Sequence, residues 1–326
     1  MGYGILELSK LAGGGNDGGR PQLLSSRYTS LRDMTKPARW GRGILLLVSA
    51  IVIWGTVFVF SQIGLEYTNP YNLVFFRFLV ASLAVLALLL PLRIGRAILA
   101  VFRVKVIWLL GAIYSLGLLF QYVGQNLGTA SEATLLTNLA PILIPLVAYA
   151  FLREKINRYQ LMAMALGLAG LLLIASPNLD LGTYRLVGYI LMFGSSVSYA
   201  LFTVMSKRSN TVRLADSFAF ILIVTLFLAP AALLLGGLDL SSFMLGPAAW
   251  LSVVWLALPC TVLAITLYLG GLEFVTASEA GFLQFLQVVL GLALAGIFLG
   301  DFLTPIQIVG ALMIILALTL GSLKRP

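Results

Sequence analysis

Histidine is absent from the 326 residues, and cysteine occurs once, at Cys260. Without imidazole there is no Ser-His triad, no histidine proton relay and no His-ligated metal. A single thiol forms neither an internal disulfide nor a thiolate metal cluster. Charge is scarce as well: charged residues make up 10% of the chain and hydrophobic residues 60%, whereas soluble domains run near a quarter charged. So little charge leaves too little polar surface to coat a globule of this size, which excludes a soluble enzyme. No GxxxxGK[ST] pattern occurs, so the chain encodes no ATP-driven motor. Neither a cofactor nor a metal is expected.

What is present is apolar sequence in runs near 20 residues, the length a helix needs to cross a bilayer core of ~30 Å at ~1.5 Å per residue. Ten spans are expected, at approximately 44–63, 71–91, 104–124, 132–152, 159–176, 186–206, 216–235, 248–271, 279–300 and 304–322. The connections are short, so no soluble domain is inserted, and the lipid bilayer is the medium in which the chain folds. Residues 1–43 stand apart: they are basic, poor in apolar residues and interrupted by a glycine-rich run from Gly13 to Gly19. That segment reads as a disordered cytoplasmic tail rather than a signal peptide, because no short apolar core with a cleavage site follows the basic stretch.

The net charge is +9, and its placement decides its meaning. The tail, the connections holding Arg93, Arg96, Arg103 and Lys105, then Arg153, Lys155 and Arg158, then Lys207, Arg208 and Arg213, and the C-terminal Lys324 and Arg325 all fall on one side of a ten-span chain. Arg185 alone falls on the other. Positive residues near span ends are retained in the cytoplasm, so both termini are expected there, in a multi-pass protein of the cell membrane. The basic excess flanks spans and is not a nucleic-acid patch.

Thr129-Ala130-Ser131-Glu132-Ala133 recurs as Thr276-Ala277-Ser278-Glu279-Ala280, 147 residues later. The same offset pairs Glu154 with Asp301 and spans four and five with spans nine and ten. Each half, 44–176 and 177–326, therefore holds five spans, and an odd number forces the second copy into the membrane from the opposite side. Inverted repeats of this kind characterise secondary transporters, in which a midplane site lies between two halves that alternate their exposure.

Several segments resemble the drug/metabolite transporter superfamily, specifically its EamA-type metabolite exporters. Ile53-Trp54-Gly55-Thr56-Val57-Phe58 is similar to the family's WG-x-x-F segment, and Asn69-Pro70 through Arg77 to its P-x-x-L-x-x-x-R start of span two. Ala130 to Glu154, with Pro141 and the closing Leu152-Arg153-Glu154, resembles the fourth-span signature, and Tyr199-Ala200 sits where the family often has Trp-Ala. The resemblance covers about 44–322. It implies an all-α membrane fold of two five-helix halves around a central cavity, and export of amino acids or other small metabolites.

The candidate site residues are polar or aromatic groups at mid-span depth. Trp54 and Phe58 lie one turn apart on one face, and a mid-membrane Trp needs a partner for its indole N–H or a cavity. Tyr199 repeats the argument in span six. Gln121 and Gln125 share a face of span three, Asn138 lies in span four, and Gln284 and Gln287 in span nine match Thr137 and Ala140 of the first repeat. Such amides line a polar pathway or bond neighbouring helices. Pro141 and Pro145 are expected to kink span four; span nine has no proline there, which predicts mechanically unequal halves. Thr129-x-x-Glu132 and Thr276-x-x-Glu279 read as capping boxes. Arg77 is the one charge well inside a span, available to a substrate carboxylate or to Glu66 or Asp301.

The expected function is a secondary transporter exporting amino acids or related small metabolites by alternating access, with Trp54, Phe58, Arg77, Asn138, Tyr199, Gln284 and Gln287 lining its pathway. A nucleotide-sugar or organic-phosphate antiporter would need several cations facing the cavity, and a non-transporting membrane scaffold is the other alternative. With no carboxylate at mid-span, facilitated diffusion or exchange is expected rather than proton-driven exchange. Monomer and homodimer are both compatible with the sequence.

Overall fold

The computed structural model describes residues 37–128, 130–175, 183–238, 241–300 and 304–322, and every regular element among them is helical. Eight apolar helical spans are long enough to cross a membrane, the first Ala38–Leu65 and the last Ala277–Phe298; two shorter apolar helices, Arg158–Ile174 and Pro305–Gly321, complete ten. Even the shorter pair rise about 25 Å at 1.5 Å per residue. The all-α, ten-span architecture expected from the run lengths is the one observed. The first helix begins at Pro37, and the part of the basic tail over 1–36 lies outside the described residues. A short helix, Gly95–Val101, occupies the connection between spans two and three.

Four spans are interrupted. Span one is Pro37–Trp54 followed by Val57–Leu65, parted at Gly55 and Thr56. Span four is Ala130–Thr137 followed by Ala140–Leu152. The cause in span four is chemical: Pro141 has no N–H to give the Thr137 carbonyl. Ser196 of span six replaces it, its Oγ donating to Thr137 O at 2.9 Å and also to Leu136 O.

Span nine breaks at the matching place, between Ala277–Leu283 and Phe285–Leu299. The absence of proline predicts an unbroken span nine, and that expectation is corrected here. Backbone bonds tighten to three-residue spacing around the joint, with Gln284 N donating to Gly281 O at 3.0 Å and Gln287 N to Gln284 O at 2.9 Å. A local 3₁₀ turn satisfies the backbone without any residue lacking a donor. Span eight carries a different irregularity: Pro247–Ala257 and Ala264–Leu272 are joined by a π turn, Leu258–Leu263. Pro259 removes one N–H there, and the Thr261 hydroxyl donates to Leu256 O at 2.8 Å.

Spans five and ten pack backbone to backbone. A Cβ on Gly170 would meet Gly310 O at 2.7 Å, and one on Gly310 would meet Gly170 O at 2.6 Å, so only glycine permits this approach. Large apolar side chains such as Leu45, Leu172, Ile190 and Ile297 stay exposed around the perimeter, where lipid is the solvent. The capping box expected at span nine forms: Thr276 Oγ1 accepts from Glu279 N at 3.1 Å, and Thr276 N donates to Glu279 Oε2 at 2.8 Å. Its counterpart at Thr129 and the Glu132 side chain lie outside the described residues, as does Asp301.

Candidate functional site: a cavity between the two halves

A cavity of about 580 Å³, counted out to its mouth, lies where the interrupted spans meet. Trp54 sits at the break of span one; its indole N–H donates to Cys260 O at 2.9 Å, on the π turn of span eight. Its ring lies 4.8 Å from that of Tyr268. Phe58, one turn on, lines the same space and is otherwise buried. In span six, Tyr199 and Thr203 repeat this one-turn spacing. The Tyr199 hydroxyl donates to Gln121 Oε1 at 2.6 Å, and the Thr203 hydroxyl lies 2.9 Å from that of Tyr268.

These contacts cross between the two halves in both directions. Gln121 and Tyr268 stand 147 residues apart, the offset of the repeat. Trp54 of the first half meets Tyr268 of the second, and Tyr199 of the second half meets Gln121 of the first. Gln284, at the break of span nine, donates its amide to the Tyr268 hydroxyl at 2.6 Å; its counterpart Thr137 stands at the break of span four and also lines the cavity. Helix breaks bring polar side chains and loosened backbone to the midplane, where an unbroken apolar helix would present neither.

Arg77 is 2% exposed yet reaches the cavity wall. Glu66 is not among the groups it bonds, and the alternative partner Asp301 lies outside the described residues; the partners of Arg77 among the described residues are neutral. Its Nε donates to Thr261 Oγ1 at 2.7 Å, Nη1 to the Tyr122 hydroxyl at 3.0 Å and Nη2 to Cys260 O at 3.2 Å. The Cys260 carbonyl thus takes donors from both Trp54 and Arg77, tying spans one and two to the π turn of span eight.

All seven residues singled out from the sequence, Trp54, Phe58, Arg77, Asn138, Tyr199, Gln284 and Gln287, face this one cavity. Asn138 is partly spent on its own span, donating to Thr134 O. Gln125 goes elsewhere: it accepts from Ser61 Oγ at 2.8 Å and donates to Phe58 O and Gln62 Oε1, bonding spans one and three. Gln121, raised from the sequence as an amide in span three, also lines the space, as do Tyr114, Thr137, Phe202, Thr203 and Tyr268, which were not proposed as lining residues. Carrying the repeat offset from Gln121 into span eight would have flagged Tyr268 as well. The resulting wall is aromatic and amide-rich, with a single cation and no carboxylate among its lining residues. Among the described residues no group of three His, Cys, Asp or Glu side chains is placed to hold a metal ion.

Comparison with known proteins gives this architecture its setting. The chain is 28% identical over 291 residues to the uncharacterized transporter YetK of Bacillus subtilis, covering 86% of each. It is 27% identical over 286 residues to a protein of Salmonella typhimurium named probable amino-acid metabolite efflux pump, covering 85% of this chain and 93% of that one. A crystal structure of a protein with 19% sequence identity superposes with a TM-score of 0.72, covering 87% of this chain and 97% of the other, which establishes the shared fold. The profile of the EamA-like transporter family matches twice, over residues 41–176 and 186–323, once on each half. With both halves matched and the whole ten-span frame accounted for, the chain belongs to the EamA-like transporter family.

Proposed function

We propose that this transporter exports amino acids or related small metabolites across the cell membrane by alternating access, with both termini cytoplasmic. Its pathway is the cavity between the halves, and Trp54, Phe58, Arg77, Asn138, Tyr199, Gln284 and Gln287 are its substrate-contacting residues. The observation that carries this reading is that the cavity is walled by both halves, with Trp54 on Tyr268 and Tyr199 on Gln121 crossing between them. A site on the axis of an inverted repeat is reachable from either side when the halves exchange conformations. The name of the Salmonella typhimurium relative, probable amino-acid metabolite efflux pump, supports the substrate class. A nucleotide-sugar or organic-phosphate substrate fits less well, because phosphate recognition draws on several cations and Arg77 is the one Lys or Arg lining the cavity.

The test is flux in proteoliposomes holding the purified chain and loaded with a mixed metabolite pool. Saturable loss of an amino acid or a close relative, reduced in Trp54→Ala, is the expected outcome. Absence of flux for every solute in the pool would overturn the reading in favour of a scaffold. Exchange is expected to persist without a pH gradient; flux driven by an imposed pH gradient alone would contradict a pathway free of carboxylates.

A further inference from the structure

Resting on that reading of the cavity, the polar groups left over in its wall narrow the substrate further. Arg77 is buried, and its three observed hydrogen bonds go to two hydroxyls and a carbonyl. A guanidinium has five N–H donors in a planar fork. Nε is used and each terminal nitrogen has given one of its two hydrogens, so one N–H remains on Nη1 and one on Nη2. A buried cation is costly unless paired with an opposite charge, and the lining residues include no carboxylate. Among the described residues no carboxylate completes Arg77, and a solute carrying an anion would do so.

Gln121 supplies a second, independent sign. Its Oε1 accepts from the Tyr199 hydroxyl at 2.6 Å. Its Nε2 is buried and has no hydrogen-bond partner, in a side chain 3% exposed that lines the same cavity as Arg77. Native proteins rarely leave such a donor idle, and one facing a cavity is met by what enters it, water or solute. Both leftover groups are donors, and both suit an acceptor that carries negative charge. Nothing comparable awaits an ammonium group, for which the wall offers neutral oxygens and aromatic faces alone.

We infer that the carboxylate, held by Arg77 and the Gln121 amide, is the group by which this cavity recognises its solute, and that the α-ammonium of an amino acid is dispensable. Monocarboxylates with an apolar remainder, including the 2-oxo acids that correspond to apolar amino acids, are therefore ligands. Amides and amines of the same shape are not.

The experiment is ligand-induced thermal stabilisation of the purified full chain in detergent at neutral pH, with leucine, 4-methyl-2-oxopentanoate and leucinamide as probes. The 2-oxo acid is expected to bind at least as well as leucine, and leucinamide roughly tenfold more weakly or worse. Gln121→Glu keeps the acceptor for Tyr199 and replaces the idle donor by a negative charge, so the preference should reverse towards leucinamide. Arg77→Lys, which keeps the charge without the fork, should weaken both acids. A structural role alone for Gln121 would lower stability without reversing the preference. Equal binding of leucinamide and the 2-oxo acid, an unchanged preference in Gln121→Glu, or no binding of any probe would each overturn the inference. Leucine binding and crossing membranes while the 2-oxo acid does neither would sink the inference and leave the transport reading standing. Acids that bind without any solute being transported would do the reverse.

Discussion

Glu154, at the end of span four, closes onto Ser278 at the start of span nine. Its Oε2 accepts from Ser278 Oγ at 2.6 Å and from Ser278 N at 3.0 Å, while Oε1 accepts from Ala277 N at 3.0 Å. A carboxylate from the first half thus satisfies the free amides that open a helix of the second, at the end where the helix dipole is positive. On the same face Lys207 of span six donates to Leu272 O at 2.7 Å, at the negative end of span eight. The connection from span eight to span nine is therefore clamped by an anion on one side and a cation on the other.

Glu154→Gln should loosen that clamp without removing its shape. Charge-assisted bonds are about twice as strong as neutral ones, so losing the charge is worth about 1–2 kcal/mol, or roughly a 5–30-fold shift in the balance between closed and open forms of this face. The check is the rate at which a cysteine placed in the cavity, Thr137→Cys, reacts with a membrane-impermeant maleimide added from this side. Cys260 is fully buried and supplies little background. An unchanged rate would show that the clamp does not gate the cavity.

Lys207→Met should act in the same direction and more weakly. A cation at a helix C-terminus contributes about 0.3–1 kcal/mol at exposed positions, so a two- to fivefold faster reaction of the same probe is expected, by roughly that energy. A slower rate would contradict the assignment of Lys207 to the closed form.

Ser196→Ala should destabilise the fold by about 1–3 kcal/mol, because the Thr137 carbonyl loses its replacement donor inside the protein. In a Pro141→Ala background residue 141 regains an N–H for that carbonyl, and the same serine change should cost less. The double-mutant cycle is read by thermal unfolding in detergent. Equal costs in both backgrounds would show that the serine and the proline are not coupled.

Gly170→Ala and Gly310→Ala should each lower stability by about 1–3 kcal/mol through overpacking. The new methyl group meets the facing glycine's carbonyl oxygen as well as an isoleucine side chain, Ile314 or Ile174, and the carbonyl cannot swing aside, so spans five and ten must separate. The pair of substitutions should cost less than the sum, because one separation makes room for both. Additive losses would mean that each glycine is constrained by separate neighbours.

The ten spans were legible because bilayer thickness imposes a run length that no soluble fold needs, and the second half was legible because Thr276 to Ala280 repeats Thr129 to Ala133. The break in span four could be read from Pro141, whose missing donor is written in one letter. The break at Gln284 could not, since every residue around it has a normal backbone and the 3₁₀ turn is imposed by packing. Arg77 was recognisable as the charge within a span, but its partners were not: Thr261 and Cys260 lie more than 180 residues along the chain. The idle donor of Gln121 is likewise invisible in sequence, because an amide spent on a neighbouring helix, as in Gln125, is written with the same letter.

The rarity of cysteine acquires an experimental meaning from the π turn. Carbon-13 fed to the cell as cysteine carbonyl would label one backbone atom in the whole chain, the Cys260 carbon whose oxygen receives both the Trp54 indole and the Arg77 guanidinium. Two donors on one oxygen weaken its double bond, so the isotope-shifted infrared band of that carbonyl reports whether spans one and two are still anchored to span eight. A single vibrational line thereby follows the centre of the protein through its working cycle, with no bulky dye in the way.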